Sequence, residues 1–179
     1  TRRVLGVIRP TVEAIGEITK TRCVGLVATE GTIQSNSYPL EVAKLFSDIE
    51  VVGQACPLWV PLIESNEHHT QGANYFVHKY IDALFSKNAN IDTLILGCTH
   101  YPLLLNQIEK AVPAGVSILT QGEIVAASLE DYLLRHPEIA SLCSKGGTIR
   151  FLTTESVEKF TSSASIFLNQ PISAEHITL

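Results

Sequence analysis

The sequence predicts an α/β protein built on parallel sheets. Short apolar runs recur along the chain, and segments with helical spacing separate them. The runs are near-continuous in hydrophobicity rather than alternating, which is the pattern of strands covered on both faces. At 179 residues the chain is long enough for one or two domains and a sizeable core.

The elements follow in order. "VLGVI" (Val4–Ile8) reads as a short strand, and after Pro10 the segment "TVEAIGEITK" places Val12, Ile15 and Ile18 on one helical face. "CVGLVA" (Cys23–Ala28) is a second strand, followed by the polar "TEGTIQSNS" and an amphipathic run to Phe46. "VVGQAC" (Val51–Cys56) is a third. Ala73 to Phe85 is helical, with Phe76, Val77, Tyr80, Ile81 and Leu84 on one side. "DTLILG" (Asp92–Gly97) and "VSILT" (Val116–Thr120) are the next strands, and a helix bearing Val125, Leu129, Tyr132 and Leu133 follows them. "RHPEIASLCSKGG" (Arg135–Gly147) reads as a connector. "TIRFLTT" (Thr148–Thr154) precedes a helix with Val157, Phe160, Ala164 and Phe167 together, and "ISAEHITL" closes the chain as a further strand.

Composition narrows the function. The net charge is −5 and the Lys and Arg residues are scattered, so no nucleic-acid partner is expected. No apolar stretch approaches the roughly 18 residues of a membrane span, and no signal peptide is visible. The four cysteines (Cys23, Cys56, Cys98, Cys143) are far apart, with no CxxC pair; they read as reduced thiols of a cytoplasmic protein. The chain begins at Thr1 and contains no Met, so it is expected to be part of a longer translation product.

In folds of this class, ligands bind beyond the carboxyl ends of the strands. The residues there are Thr29, Glu30, Gly31 and Thr32, then Cys56 with Glu64 shortly after, then Cys98, Thr99 and His100, then Thr120, Gln121 and Gly122. A thiol, an imidazole, a carboxylate and several hydroxyls suit a small polar substrate. Neither a dinucleotide nor a P-loop fingerprint occurs.

Cys98 admits three readings. It is an acid/base thiol beside an imidazole, with the helix after Pro102 pointing its dipole back at it. Or it is a buried strand-end cysteine, with His100 capping the next helix. Or it binds a metal, which is disfavoured because Cys98 and His100 stand two apart with no second close Cys/His pair. The adjacent His68 and His69 open a helix and are expected to be solvated. Thr29 and Thr32 also suit turn and N-cap duty, and Glu64 also suits a surface position.

Five segments carry a family resemblance. "LILGCTHYPLL" resembles the second catalytic motif of glutamate racemases, in the aspartate/glutamate racemase superfamily. "LGVIRPTVEAI" resembles the start of their second domain, "GLVATEGTIQSNSY" their threonine-bearing substrate loop, and "CPLWVPLIE" the segment that supplies their acidic residue. "TIRFLTTESVEKF" resembles their late strand and helix. Nearly the whole chain is covered. His100 favours glutamate over aspartate racemases, which typically carry Glu there.

The resemblance implies a parallel-sheet αβ sandwich of the racemase type, with two similar domains in a full family member. It implies cofactor-independent interconversion of L- and D-glutamate by two cysteines, supplying D-glutamate for peptidoglycan. Cys98 would be one of the two, His100 its proton partner, and Glu64 the residue that polarises substrate and orients proton transfer. Thr99, Thr29 and Thr32 would bind the amino acid. No metal or pyridoxal cofactor is implied. The partner is the small molecule glutamate; a homodimer is compatible with the sequence but not specified by it.

The chain also departs from the family. A "DSGxGG"-type loop, a "PYG"-type loop and a first cysteine followed by Asn-Thr do not occur in it. By analogy, residues 5–116 form the second racemase domain, and residues 117–179 complete a first domain whose opening part is not in this sequence. "LTQGEIVA" also differs from the Asp-Ser that many relatives carry before the Gly. A non-catalytic amino-acid-binding module and a sister racemase with another substrate remain open on the sequence alone.

Overall fold

The structure, a computed structural model, describes residues 4–179. The chain divides into two compact units, one ending at Tyr132 and one starting at Leu133.

The first unit opens with α1 (Ile8–Ile18), β1 (Cys23–Ala28), α2 (Glu30–Gln34), α3 (Ser37–Leu45) and β2 (Glu50–Ala55). It continues with α4 (Trp59–Glu64), α5 (Gln71–Phe85), β3 (Thr93–Leu96), a 3-10 turn (Tyr101–Leu104), α6 (Leu105–Ala111) and β4 (Ser117–Leu119). α7 (Gln121–Arg135) begins within it. The four strands make one parallel sheet in the order β2-β1-β3-β4. Val24 of β1 pairs with Val51 on one side and Thr93 on the other, and Thr93 pairs in turn with Ser117.

β1 is buried at all six positions and β3 at all four, as their unbroken apolar sequences demand. On one face Val24, Leu26, Ala28 and Ile95 meet Val12 and Ile15 of α1 and Tyr38 and Val42 of α3. Burying Val12 and Ile15 contributes about 1.5–3 kcal/mol each. On the other face Gly25 leaves room for Leu84 of α5, whose Cδ2 would lie 2.9 Å from a Cβ there.

Asp92 holds the opposite edge of the sheet together. Its carboxylate accepts hydrogen bonds from the Thr19 hydroxyl (2.7 Å), the Lys20 amide (2.6 Å), the Thr21 amide (2.8 Å) and the Thr93 hydroxyl (3.0 Å). The turn after α1 is thereby tied to the start of β3.

In the second unit, α8 (Pro137–Ala140) lies within the expected connector. β5 (Phe151–Thr153) pairs in parallel with β6 (Ala174–His176), joined by α9 (Val157–Phe167). Ser156 caps α9 by accepting from the Lys159 amide at 3.2 Å.

Two expectations are corrected. Val4–Ile8 forms no strand: residues 4–7 precede α1 as exposed, irregular chain, and the helix starts at Ile8 with Pro10 in its first turn, where its missing N–H costs nothing. An apolar run becomes a strand only where a neighbouring strand pairs with it, and none does so here. His68 is buried, 3 % exposed, whereas His69 is exposed as expected. β4 hydrogen-bonds to β3, and the chain divides into its two units after Tyr132. Among the described residues no helix is long and apolar enough to cross a membrane.

Candidate active site

Because the four strands run parallel, their carboxyl ends share one edge. Thr29 follows β1, Cys56 follows β2, Cys98 lies two residues beyond β3, and Thr120 and Gln121 follow β4. Gly97 fixes the exit from β3. Its amide donates to the Val27 carbonyl at 2.8 Å, and a Cβ there would lie 2.8 Å from Leu26 Cδ1 and 3.2 Å from that carbonyl oxygen. Only glycine lets the chain pass β1 this closely before delivering the thiol.

Cys98 is partly exposed, and its Sγ lies 3.9 Å from Nδ1 of His100. The other ring nitrogen, Nε2, lies 2.6 Å from Oε1 of Glu64, the last residue of α4. A carboxylate only accepts, so Nε2 carries the proton and donates it. In the neutral ring Nδ1 then presents a lone pair on the side of the thiol. Thiol, imidazole and carboxylate stand in one line, with 26 % of the His100 side chain and 42 % of that of Glu64 exposed.

His100 does not cap the following helix with its side chain, so that reading is corrected. The element after it is the 3-10 turn, with Pro102 in its opening positions, rather than an α-helix aimed at the thiol. The turn is held from below. The Tyr101 ring meets Trp59 edge to face at 4.7 Å, and its hydroxyl donates to the Cys56 carbonyl at 3.4 Å.

Thr29 is the N-cap of α2; its hydroxyl accepts from the Thr32 amide at 3.4 Å and lies 3.0 Å from the Thr32 hydroxyl. Thr29 therefore has the capping role that the spacing allowed, with Thr32 as its partner, one strand away from Cys98. Thr99 is exposed. With Cys98, Pro102, Val7, Gln121 and Val125 it lines a cavity of about 230 Å³.

The other cysteines are placed differently. Cys56 is fully buried, and burial pushes its thiol far up. Burial also raises Cys23, with Glu50 and Asp92 adding to it. Cys143 is exposed in the second unit. Among the described residues no group of three or more His, Cys, Asp or Glu side chains is arranged to hold a metal ion.

Two features of this edge were not legible in the sequence. The Gln121 amide donates to the Tyr38 hydroxyl and, at 3.2 Å, to that of Thr11, drawing α7, α3 and α1 together at the cavity wall. Trp59 and Tyr101 are the second. Both are contacts between residues far apart in the chain, and no local pattern signals them.

A model of the Asp/Glu/Hydantoin racemase family matches residues 3–129. This chain belongs to that family. The matched region includes Thr29, Thr32, Glu64, Cys98, Thr99 and His100. The chain is 39 % identical over 168 residues to a glutamate racemase of Latilactobacillus sakei, covering 94 % of this chain and 60 % of that protein. It is 39 % identical over 167 residues to one of Lysinibacillus sphaericus, covering 93 % and 62 %.

Solved racemase structures agree in fold. A glutamate racemase isoform from Bacillus anthracis superimposes with a TM-score of 0.87 at 32 % identity, covering all of this chain and 66 % of that one. The glutamate racemase of Francisella tularensis, solved with D-glutamate, gives 0.79 at 29 % identity, with 97 % and 62 % covered. The chain thus spans about three fifths of the length of these two curated relatives.

Proposed function

We propose that this chain carries one half of the proton-transfer site of a glutamate racemase. The observation that supports the reading is the line from Glu64 Oε1 through His100 to the Cys98 thiol at the ligand edge of the sheet. Inverting Cα requires removal of a proton from one face and delivery of another to the opposite face. Cys98 as thiolate takes the first, or as thiol supplies the second. His100 exchanges a proton with Cys98 through Nδ1, while Glu64 holds the Nε2–H and fixes which nitrogen faces sulfur. Thr99 stands beside Cys98 to bind the amino acid, with Thr29 and Thr32 at the neighbouring strand end.

The opposite face needs a second group, which in this reading is a second cysteine, as in the racemases the chain resembles. Cys23 and Cys56 do not supply it, being buried with thiols raised by burial. Residues 5–116 then act as the second racemase domain and residues 117–179 as part of the first. The product would be D-glutamate for peptidoglycan, made in the cytoplasm without metal or pyridoxal.

The test is polarimetric. Circular dichroism of L-glutamate is followed with the chain by itself, and again after adding a separately expressed polypeptide that bears the family's first cysteine. The reading expects racemisation only in the second case. Racemisation by the chain by itself would refute the two-cysteine assignment, and none in either case would favour an amino-acid-binding module.

A further inference from the structure

The Glu64–His100 contact joins two short elements, and neither is rigid by itself. α4 has six residues, and it packs chiefly on α5 and on the 3-10 turn that follows His100. Trp59, its first residue, touches both supports. The indole N–H donates to the Phe76 carbonyl of α5 at 3.3 Å, and the ring tilts against Tyr80 of α5 at 6.2 Å. The same ring meets Tyr101, the first residue of the turn, edge to face at 4.7 Å and 73°. Both side chains are 0 % exposed.

The placement has a consequence for the chemistry. Trp59 lies at one end of α4 and Glu64 at the other, while Tyr101 immediately follows His100. The aromatic contact therefore fixes the two backbones from which the carboxylate and the imidazole reach toward each other. The Tyr101 hydroxyl adds a second tie, to the Cys56 carbonyl at the end of β2. Hydrogen bonds at 2.6 Å tolerate little displacement, so the ring contact behind them sets whether the imidazole keeps its orientation toward Cys98.

We propose that Trp59 and Tyr101 are positioning residues for the Glu64–His100 pair, acting through their edge-to-face contact rather than through substrate. The proposal rests on the racemase reading for its functional meaning, but its geometry is measurable without turnover.

The experiment records the ring-nitrogen signals of the histidines by NMR in ring-labelled protein at alkaline pH, where they report which ring nitrogen carries the proton. His100 is assigned from His100→Asn, and His78, His136 and His176 serve as controls. Glu64→Gln gives the response to full loss of the carboxylate. Tyr101→Leu should move the His100 ring signals toward those of Glu64→Gln, with the controls unmoved. Tyr101→Phe keeps the ring contact and loses only the tie to the Cys56 carbonyl, so it should move them less than Tyr101→Leu. If Tyr101→Leu does not fold, Trp59→Phe decides, since it retains a buried ring but loses the Phe76 tie; it should move the signals part of the way. A folded Tyr101→Leu or Trp59→Phe protein with unmoved His100 signals overturns the proposal, and so do Glu64→Gln signals equal to those of the wild type. Absence of racemisation after adding the polypeptide that bears the family's first cysteine, with a His100 that responds as described, would sink the racemase reading and leave the positioning role standing.

Discussion

Asp92→Asn tests whether the carboxylate at the start of β3 holds the strand that delivers Cys98. Burial works to raise its pKa, but the Thr19 hydroxyl, the Thr21 and Lys20 amides and the Thr93 hydroxyl outweigh this, and the carboxyl is held well below the ordinary range. A neutral amide keeps one acceptor oxygen for the two backbone amides and loses the charge. Hydrogen bonds to charged groups contribute about 1.5–3 kcal/mol against about 0.5–1.5 for neutral ones, so two amides lose about 2 kcal/mol together. Lys20 and Thr21 are exposed, and water takes up part of this; the expected cost is roughly 1–2 kcal/mol, or about 2–8 °C in Tm.

The sign with pH is fixed. The folded state holds the Asp92 carboxyl below its unfolded value, so its contribution is complete above about pH 5 and erodes as pH falls below about 4. Trp59, the single tryptophan and fully buried in this unit, reports unfolding in urea by fluorescence. The gap between wild type and Asp92→Asn should be full at pH 7 and should narrow steadily as pH falls from about 4 toward the depressed folded-state pKa. A gap that stays constant down to the lowest pH at which both proteins fold would show that the charge contributes nothing and that the reasoning is wrong.

Other outcomes concern the site. Glu64→Gln and His100→Asn should lower turnover, by up to about 100-fold, more than they weaken glutamate binding, and both should leave Tm nearly unchanged because both side chains are partly exposed. A large fall in Tm with unchanged turnover would assign them a structural role instead. Gly97→Ala pushes a methyl against Leu26 and the Val27 carbonyl and should cost about 1–3 kcal/mol in urea unfolding while reducing turnover. Full stability in that variant would mean that the close pass beside β1 is not required.

What the sequence revealed and what it hid divide along contact range. β1, β2 and β3 were legible because "CVGLVA", "VVGQAC" and "DTLILG" pair with one another, so local preference and tertiary context agree. "VLGVI" has the same local character and no pairing strand, and it failed. Cys98, Thr99 and His100 are contiguous, so a motif could show them. Glu64 is 36 residues away from His100; its place after β2 put it at the ligand edge, but its role in proton transfer was reached only through the resemblance of "CPLWVPLIE". Trp59 against Tyr101, Gln121 against Tyr38, and the burial of His68 depend on how helices pack, which no local period encodes.

The central claim is that Cys98 moves the Cα proton. The most direct measurement is deuterium uptake at Cα of L- and of D-glutamate in D2O, comparing Cys98→Ser with the parent protein in a preparation that racemises glutamate. The account predicts a loss of at least about 100-fold, since a serine hydroxyl is a far weaker acid and base near neutral pH, with one enantiomer affected more than the other. Near-parental exchange from both enantiomers would contradict it.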